Sequence, residues 1–479
     1  MKYFLAIIVS ISLFQCKTAL EEEPLDYRPN HHFTPPENWT NDPNGLVYLD
    51  GEYHLFYQYN PFGDTWGHMS WGHAVSRDLV TWEHLPVAIP EFDNGDSTTT
   101  MIFSGSAVVD SKNSSGFFEA GFTKGMVAVF TAHRVGDGVG IGQYQSLAFS
   151  SDKGRTWERY KGNPVLDLGM LDFRDPNVIW NEARNSWLMS VVKPKEYIAQ
   201  FYESNDLKNW SLLSEFGKQG DTTRIWECPS LFKVPVEHSD VEKWVLMISS
   251  GHKSEGFVGM QYFVGDFDGT HFTSQEQKEI LYVDAGKDFY AAIPFNNLSK
   301  GHNKPVVMGW TNNWTYANKI PTVGFRGGFS FPRELSLTKQ GEVFKLKSNP
   351  ISSPEIKSYP LSKGQANLEV DEGSFHLVID ADASDSFNVK MAYGKDEFIE
   401  IGYDLETEEL YFDRRNSGQK AFSEDFASKD VMKVQAVDGK VKLDIFVDVS
   451  VVEVFVNDGL EVMTQQIFPT TSKVSVSLN

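Results

Sequence analysis

Apolar residues along this chain come in short runs or in strict alternation, broken every few residues by Asp-Gly, Asn-Gly and Asp-Pro turns. No stretch holds a helical period, so the pattern predicts an all-β chain. A hairpin is legible from Gly45–Leu49 across the Asp50-Gly51 turn to Glu52–Tyr59. Three segments, 74–82, 148–157 and 202–210, each read as a strand, a Ser/Asp turn and a Trp-bearing strand, and 264–272 is a degenerate fourth that ends on Phe272. The aromatic ends fall at 82, 157, 210 and 272, a spacing that suits four-stranded sheets with loop insertions better than the short, strict period of a solenoid.

If each such hairpin closes one sheet, the preceding chain must supply that sheet's first two strands. Candidate openings follow Asp42, Phe103, Asp175 and Glu227, and a fifth runs from Asp288 through Val306–Trp310 to Pro332–Leu337. Five radial sheets predict a five-bladed β-propeller over 31–348, in which the first strand of each blade lines the central axis. Asp42, Asp175 and Glu227, each read as the acid opening an axial strand, then converge on one funnel. The stretch 349–359 reads as a linker, and strict alternation from 360 to 479, as in Ser374–Asp380, Val441–Val447 and Val451–Val456, predicts a β-sandwich.

Charge narrows the partners. Lys plus Arg number 43 against 65 Asp plus Glu, a formal net charge of −22, which repels phosphate polymers and anionic lipid and excludes a nucleic-acid role. Aromatics at 14%, many beside Gly, Asn and Asp, suit a carbohydrate partner. The only cysteines, Cys16 and Cys228, cannot build a disulfide framework or a cysteine metal cluster. No histidine pair has ligand spacing and no Gly-rich phosphate cradle is present, so neither metal nor cofactor is expected. The start, Met1-Lys2 and an apolar run to Phe14, is too short to span a membrane and reads as an export leader over 1–16. The following Cys16 resembles a lipoprotein signal, with plain cleavage the alternative, and a lipid there is the only membrane contact expected. Residues 17–30, with Glu21–Glu23, read as a solvated tether, and Cys228 as a lone buried thiol.

Cutting an acetal needs one ionised carboxylate at the anomeric carbon and one protonated carboxyl for the leaving oxygen. Asp42, in a turn rich in amide donors, suits the first role. Glu227, between Trp226 and Cys228-Pro229, suits the second if that apolar neighbourhood raises its pKa. Asp175 follows Arg174, expected to hold it anionic as a stabiliser of charge on the sugar ring. Ser104-Gly105-Ser106 lacks the strand-to-helix elbow of serine hydrolases.

The motifs Trp39-Thr-Asn-Asp-Pro-Asn-Gly45, Phe56–Pro61, Phe103–Ser106, Phe173-Arg-Asp-Pro176 and Trp226-Glu-Cys-Pro229 together resemble, in order, those of glycoside hydrolase family 32, the β-fructofuranosidases. Gly324–Gly327, Pro332–Leu335 and Asp448–Phe455 extend the likeness over nearly the whole mature chain. The resemblance implies a five-bladed propeller with a C-terminal sandwich and hydrolysis with retention. It gives Asp42 the nucleophile's position, Asp175 the transition-state stabiliser's and Glu227 the acid/base's. Asn41, Gln58, Trp66, Phe103, Ser104 and Arg174 are expected around the terminal fructose, with Asp284 and Lys287 as a pair reaching the fructose and its neighbour. Thr40 stands where the family usually has Met, and His68–Trp71 departs from the common form, which predicts altered packing below the nucleophile and a reshaped rim. The substrate implied is fructan, levan or inulin. The alternatives are a sucrose-preferring invertase, a fructosyltransferase, an inverting pentose-polymer hydrolase on the same fold, and a non-catalytic glycan-binding protein.

Overall fold

The computed structural model describes residues 25–251, 259–299, 301–351 and 355–479. The expected leader with Cys16, the tether as far as residue 24, and 352–354 of the expected linker lie outside the described residues. Among the described residues the regular elements are strands apart from two single 3₁₀ turns, Pro194–Glu196 and Ala317–Lys319. The chain is all-β, as its turn-broken patterning predicts.

Five antiparallel sheets follow one another, each built mainly of consecutive strands. Their first long strands are Asn38–Leu49, Thr98–Val109, Arg174–Asn181, Trp226–Pro235 and Tyr290–Pro294. Each of these packs against the next, and the fifth packs against the first, so they close a ring. The short strand Phe325–Arg326 joins the first sheet in parallel beside Asn38 and Trp39. Asn38–Leu49 is buried almost throughout rather than alternately, because it is covered on both faces.

Each neighbouring pair of sheets owns a separate apolar core. Val47, Phe56 and Trp71 meet Ile102 and Phe130 between the first and second sheets, and Val127 and Leu147 meet Val178 and Met189 between the second and third. Phe201 meets Leu246 and Phe263, Met247 meets Phe289 and Leu335, and Tyr290 with Met308 meets Trp39 and Leu55, which completes the circuit. The Ser/Asp hairpins lie at the third and fourth strands: Ser76 is capped with Asp78, Ser150 with Asp152 and Ser204 with Asp206, and each Asp also accepts backbone N–H groups of its turn.

Two further sheets, one from Ser358–Leu361 through Glu461–Gln466 and one from Leu368–Val370 through Val474–Leu478, enclose a single core that includes Phe375, Leu377, Val389, Ile401, Leu443 and Val454. Buried ion pairs fasten them to the first five sheets. Arg333 reaches Asp284 at 2.9 Å and Glu453 at 2.7 Å, His32 lies 2.7 Å from Asp448 and 3.1 Å from Glu453, and Arg414 reaches Asp288 at 2.5 Å. The end of the expected tether is not solvated spacer. Tyr27 is buried, and the backbone N–H groups of Asn30, His31 and His32 all donate to Asp448, because a buried carboxylate binds these backbone donors more strongly than water does.

Candidate active site

One device repeats in all five ring strands. Each carries a bulge at the same end, between Thr40 and Pro43, Ile102 and Gly105, Arg174 and Asn177, Glu227 and Ser230, and Tyr290 and Ile293. A bulge inserts unpaired residues and re-aims side chains out of the ladder. Asp175, Cys228 and Ala291 each follow the flanking residue and take left-handed backbone, φ 65°, 48° and 53°. Beside Ser104, Gly105 runs so near the adjoining strand that an added Cβ would stand 2.1 Å from the Val129 carbonyl oxygen.

Aligning the bulges corrects one expectation. The three acids do not open their strands at matching positions. Glu227 flanks its bulge, Asp175 is the first inserted residue of its own, and Asp42 is the second. Convergence comes from different steps of one repeated kink.

Together they line a cavity of about 360 Å³ with Asn41, Gln58, Trp66, Phe103, Ser104 and Arg174, and with His133, Gln143, Asp172, Trp314 and Asn318. Ser104 Oγ donates to Asp42 Oδ2 at 2.5 Å, Asn41 Nδ2 donates to Oδ1 at 3.0 Å, and the Cys228 thiol donates to Oδ2 at 3.6 Å. Burial pushes the Asp42 carboxyl up from the usual carboxylate range while the Ser104 and Asn41 donors pull it back. Asp175 accepts the Cys228 backbone N–H at 3.0 Å. Burial raises it to about 7 against the pull of Arg174, and the Glu227 and Asp42 carboxyls add to the rise.

The surroundings of two carboxyls differ from those expected. Arg174 lies 3.8 Å from Asp175, but its hydrogen bonds go elsewhere: Nη2 donates to Glu227 Oε1 at 2.9 Å and Nη1 to Asp172 Oδ1 at 3.0 Å. Glu227 does not sit among its apolar sequence neighbours. Trp226 is buried in the core between the third and fourth sheets and Cys228 turns toward the other two acids, while the Glu227 carboxyl accepts from Arg174 and, at 2.7 Å on Oε2, from the Tyr290 hydroxyl. In a strand, successive side chains point to opposite faces, so sequence neighbours are not spatial neighbours.

Part of the cavity lining is aromatic. Trp66 is 41% exposed and edge-on to Phe103, and Phe103 stacks on His133 at 4.3 Å. Burial holds His133 down at about 4, neutral at pH 7. Gln58 donates to Asn44 and to the Ile102 carbonyl, which fixes its amide at the cavity floor. Thr40 is buried with its hydroxyl on the Gln58 carbonyl, so it braces the strand that carries Asp42, and the exposed His68 pairs with Glu91.

Asp284 and Lys287 are not brought to this cavity. Asp284 is fully buried under the second module, where Arg333, Gly286 and both donors of Thr464 use its two oxygens. Lys287 points to Asp430, 3.9 Å away, and to the Asp425 carbonyl. His133, Gln143, Asp172, Tyr290, Trp314 and Asn318 were not picked out from the sequence. Asp172, two residues before Arg174, carried the one available signal: a further acid beside an axial motif.

Comparison with known proteins places this geometry. Residues 32–350 match the family model for the "Glycosyl hydrolases family 32 N-terminal domain", and residues 339–479 match "Glycosyl hydrolases family 32 C terminal". The chain is 44% identical to a levanase of Bacillus subtilis (strain 168) over 473 residues, covering 95% of this chain and 68% of the relative. It is 38% identical to an extracellular exo-inulinase of Aspergillus awamori over 499 residues, covering 94% and 91%. The crystal structure of exo-inulinase from Aspergillus awamori superposes with a TM-score of 0.85 at 36% identity over 95% of both chains. A fructofuranosidase from Schwanniomyces occidentalis complexed with fructose superposes at 0.84 with 33% identity over 96% of both. A ring of bulged strands that gathers three carboxyls and an arginine, with these matches over both parts of the chain, means that the protein belongs to glycosyl hydrolase family 32 and is a glycoside hydrolase.

Proposed function

We propose that this enzyme is a retaining β-fructofuranosidase acting on fructan, with Asp42 as nucleophile, Glu227 as acid/base and Asp175 as transition-state stabiliser. The observation that carries the reading is the meeting of those three carboxyls with Arg174 in one open cavity. Asp42 is oriented by Ser104 and Asn41 and attacks the anomeric carbon. Glu227 gives its proton to the leaving oxygen, and Arg174 and Tyr290 stabilise the carboxylate that remains. Glu227 then takes a proton from the water that releases the fructosyl group. Asp175 gains attraction as positive charge develops on the ring, which stabilises the transition state more than the bound substrate. Trp66 and Phe103 offer the sugar an apolar face, and Asn41, Gln58 and Arg174 offer it donors.

The five ring-packed sheets with a core between each pair are read as a five-bladed propeller over 31–348. The linker is read as shorter than 349–359, because Asn349 and Pro350 still pair with Glu334 and Arg333 in the fifth sheet while Ser358 and Tyr359 already pair with His376 and Leu377, and the last two sheets are read as a β-sandwich from Ser358 to 479. The leader 1–16 is read as directing export, with Cys16 as the site of lipid attachment. The names of the relatives, levanase and extracellular exo-inulinase, support fructan and export. An invertase of Schizosaccharomyces pombe, 43% identical over 315 residues, makes sucrose the second reading.

The test is to incubate the purified enzyme with levan, inulin and sucrose and resolve the products with time. Free fructose released faster from a fructan than from sucrose is expected. A marked preference for sucrose would overturn the fructan assignment, growing oligosaccharides would indicate fructosyl transfer, and no turnover of any would overturn the reading altogether. In a crystal structure, retention requires the Asp42 and Glu227 carboxyls about 5 to 5.5 Å apart, whereas about 6.5 to 9.5 Å would mean inversion.

A further inference from the structure

The guanidinium that bonds Glu227 is itself held from behind. Arg174 Nη1 donates to Asp172 Oδ1 at 3.0 Å, and Lys195 Nζ donates to Asp172 Oδ2 at 2.6 Å. Four groups of alternating sign therefore run inward from solvent: Lys195, Asp172, Arg174 and Glu227. The Lys195 side chain is 72% exposed, that of Asp172 26% and that of Arg174 10%. The backbone fixes this order. Asp172 directly precedes the bulged strand that carries Arg174. Lys195 sits on the turn Pro194–Glu196, which links the second and third strands of the same sheet, is closed by Tyr197 at φ 56° and packs against the strand that bears Glu227. Neither Asp172 nor Lys195 has a part in the mechanism above.

We propose that Asp172 and Lys195 are positioning residues that set the proton affinity of Glu227 through Arg174. This inference rests on the reading of Glu227 as acid/base. An anion behind the guanidinium fixes its plane and offsets part of its charge, so the Glu227 carboxylate is stabilised less than it would be by an unpaired arginine. Lys195 in turn offsets Asp172. Without the Asp172 charge, Arg174 stabilises the Glu227 carboxylate more fully and the proton leaves at lower pH. Without Lys195, the full Asp172 charge bears on Arg174 and the proton leaves at higher pH.

The other groups that face this line stay in place in both variants. Glu227 faces Asp42, Asp175, the Tyr290 hydroxyl and the Cys228 thiol. Asp172 faces His133, and Lys193 beside the turn is paired with Glu196 at 3.0 Å and Glu215 at 3.1 Å.

The experiment compares the pH dependence of kcat/KM on a fructoside for the wild type, D172N, K195M and E227Q. Asparagine is isosteric with Asp172 and Lys195 is exposed, so unchanged melting temperatures are expected for both. The alkaline limb, which reports the proton on the acid, is expected to move down by about half a pH unit in D172N and up by about a quarter of a unit in K195M, with the acid limb fixed. Opposite shifts are a signature that mere loosening of Arg174 would not produce. Limbs that stay put in both variants, or that move the same way, would overturn the proposal. So would a change confined to KM, which would make Asp172 a substrate contact. An inactive E227Q beside unmoved limbs overturns the charge relay alone, whereas an active E227Q with the wild-type profile overturns the reading of Glu227 itself.

Discussion

Two of the buried clusters of carboxylates and cations among the described residues differ in how completely the acids are answered. Under the second module, Asp284, Glu453 and Asp448 face Arg333 and His32, and every carboxylate oxygen accepts from at least one donor. Despite burial, His32 holds Asp448 well below the usual carboxylate range, and Arg333 lowers Glu453. In the cavity, Arg174 bonds Glu227 and stands 3.8 Å from Asp175, Asp42 has no cation partner among the described residues, and burial pushes Asp42 and Asp175 up instead. The same residue types give a clamp where donors match acceptors, and a proton-holding site where they fall short beside an open cavity.

The largest expected effect breaks the under-answered cluster. D42N and E227Q should each lower kcat on the order of 10⁴-fold with unchanged circular dichroism and melting temperature, and near-wild-type turnover in either would refute the assigned roles.

The next breaks the clamp. D284N leaves Arg333 with less buried counter-charge and should cost about 3–5 kcal/mol of stability, read as a lower denaturation midpoint, with KM unchanged in the folded enzyme. A raised KM with unchanged stability would instead return Asp284 to the sugar.

Protonation tests the clamp more finely. His32 is raised to about 9 by hydrogen bonds and charge from Asp448 and Glu453, which outweigh burial. A folded-state pKa above the unfolded one means that its stabilisation is complete below about pH 6.5 and is lost as pH rises through about 9. Melting temperature should therefore fall between pH 7 and 10 more steeply in the wild type than in His32→Gln. Equal slopes would contradict the pairing.

The smallest effect is expected for Lys287→Ala. Because the ammonium faces Asp430 in a mostly buried pair away from the cavity, KM should change by less than about twofold.

The difference between the clusters also marks what could be read from sequence. The Ser/Asp hairpins were legible because Ser76 and Asp78 cap their own turn, a contact two residues long. The meeting of Asp42, Asp175 and Glu227 was legible because each lies in a motif tied to a ring strand. The bulges were not, since a register shift such as Glu227/Ser230 depends on the partner strand Glu242–Ser250. Nor was the fate of Asp284, whose partners Arg333 and Thr464 lie 49 and 180 residues away. The pairing of Arg174 with Glu227 rather than Asp175 spans 53 residues and follows from two neighbouring sheets, not from the Arg-Asp dipeptide.

The central claim is that the acid cluster divides its labour, with Asp42 carrying the fructosyl group and Glu227 the proton. Mass spectrometry of peptides from E227Q, quenched during turnover of a fructoside with a good leaving group, tests it most directly. A fructosyl adduct on the peptide that contains Asp42 is the result predicted; an adduct on the peptide containing Asp175, or steady turnover with no adduct on any peptide, would contradict it.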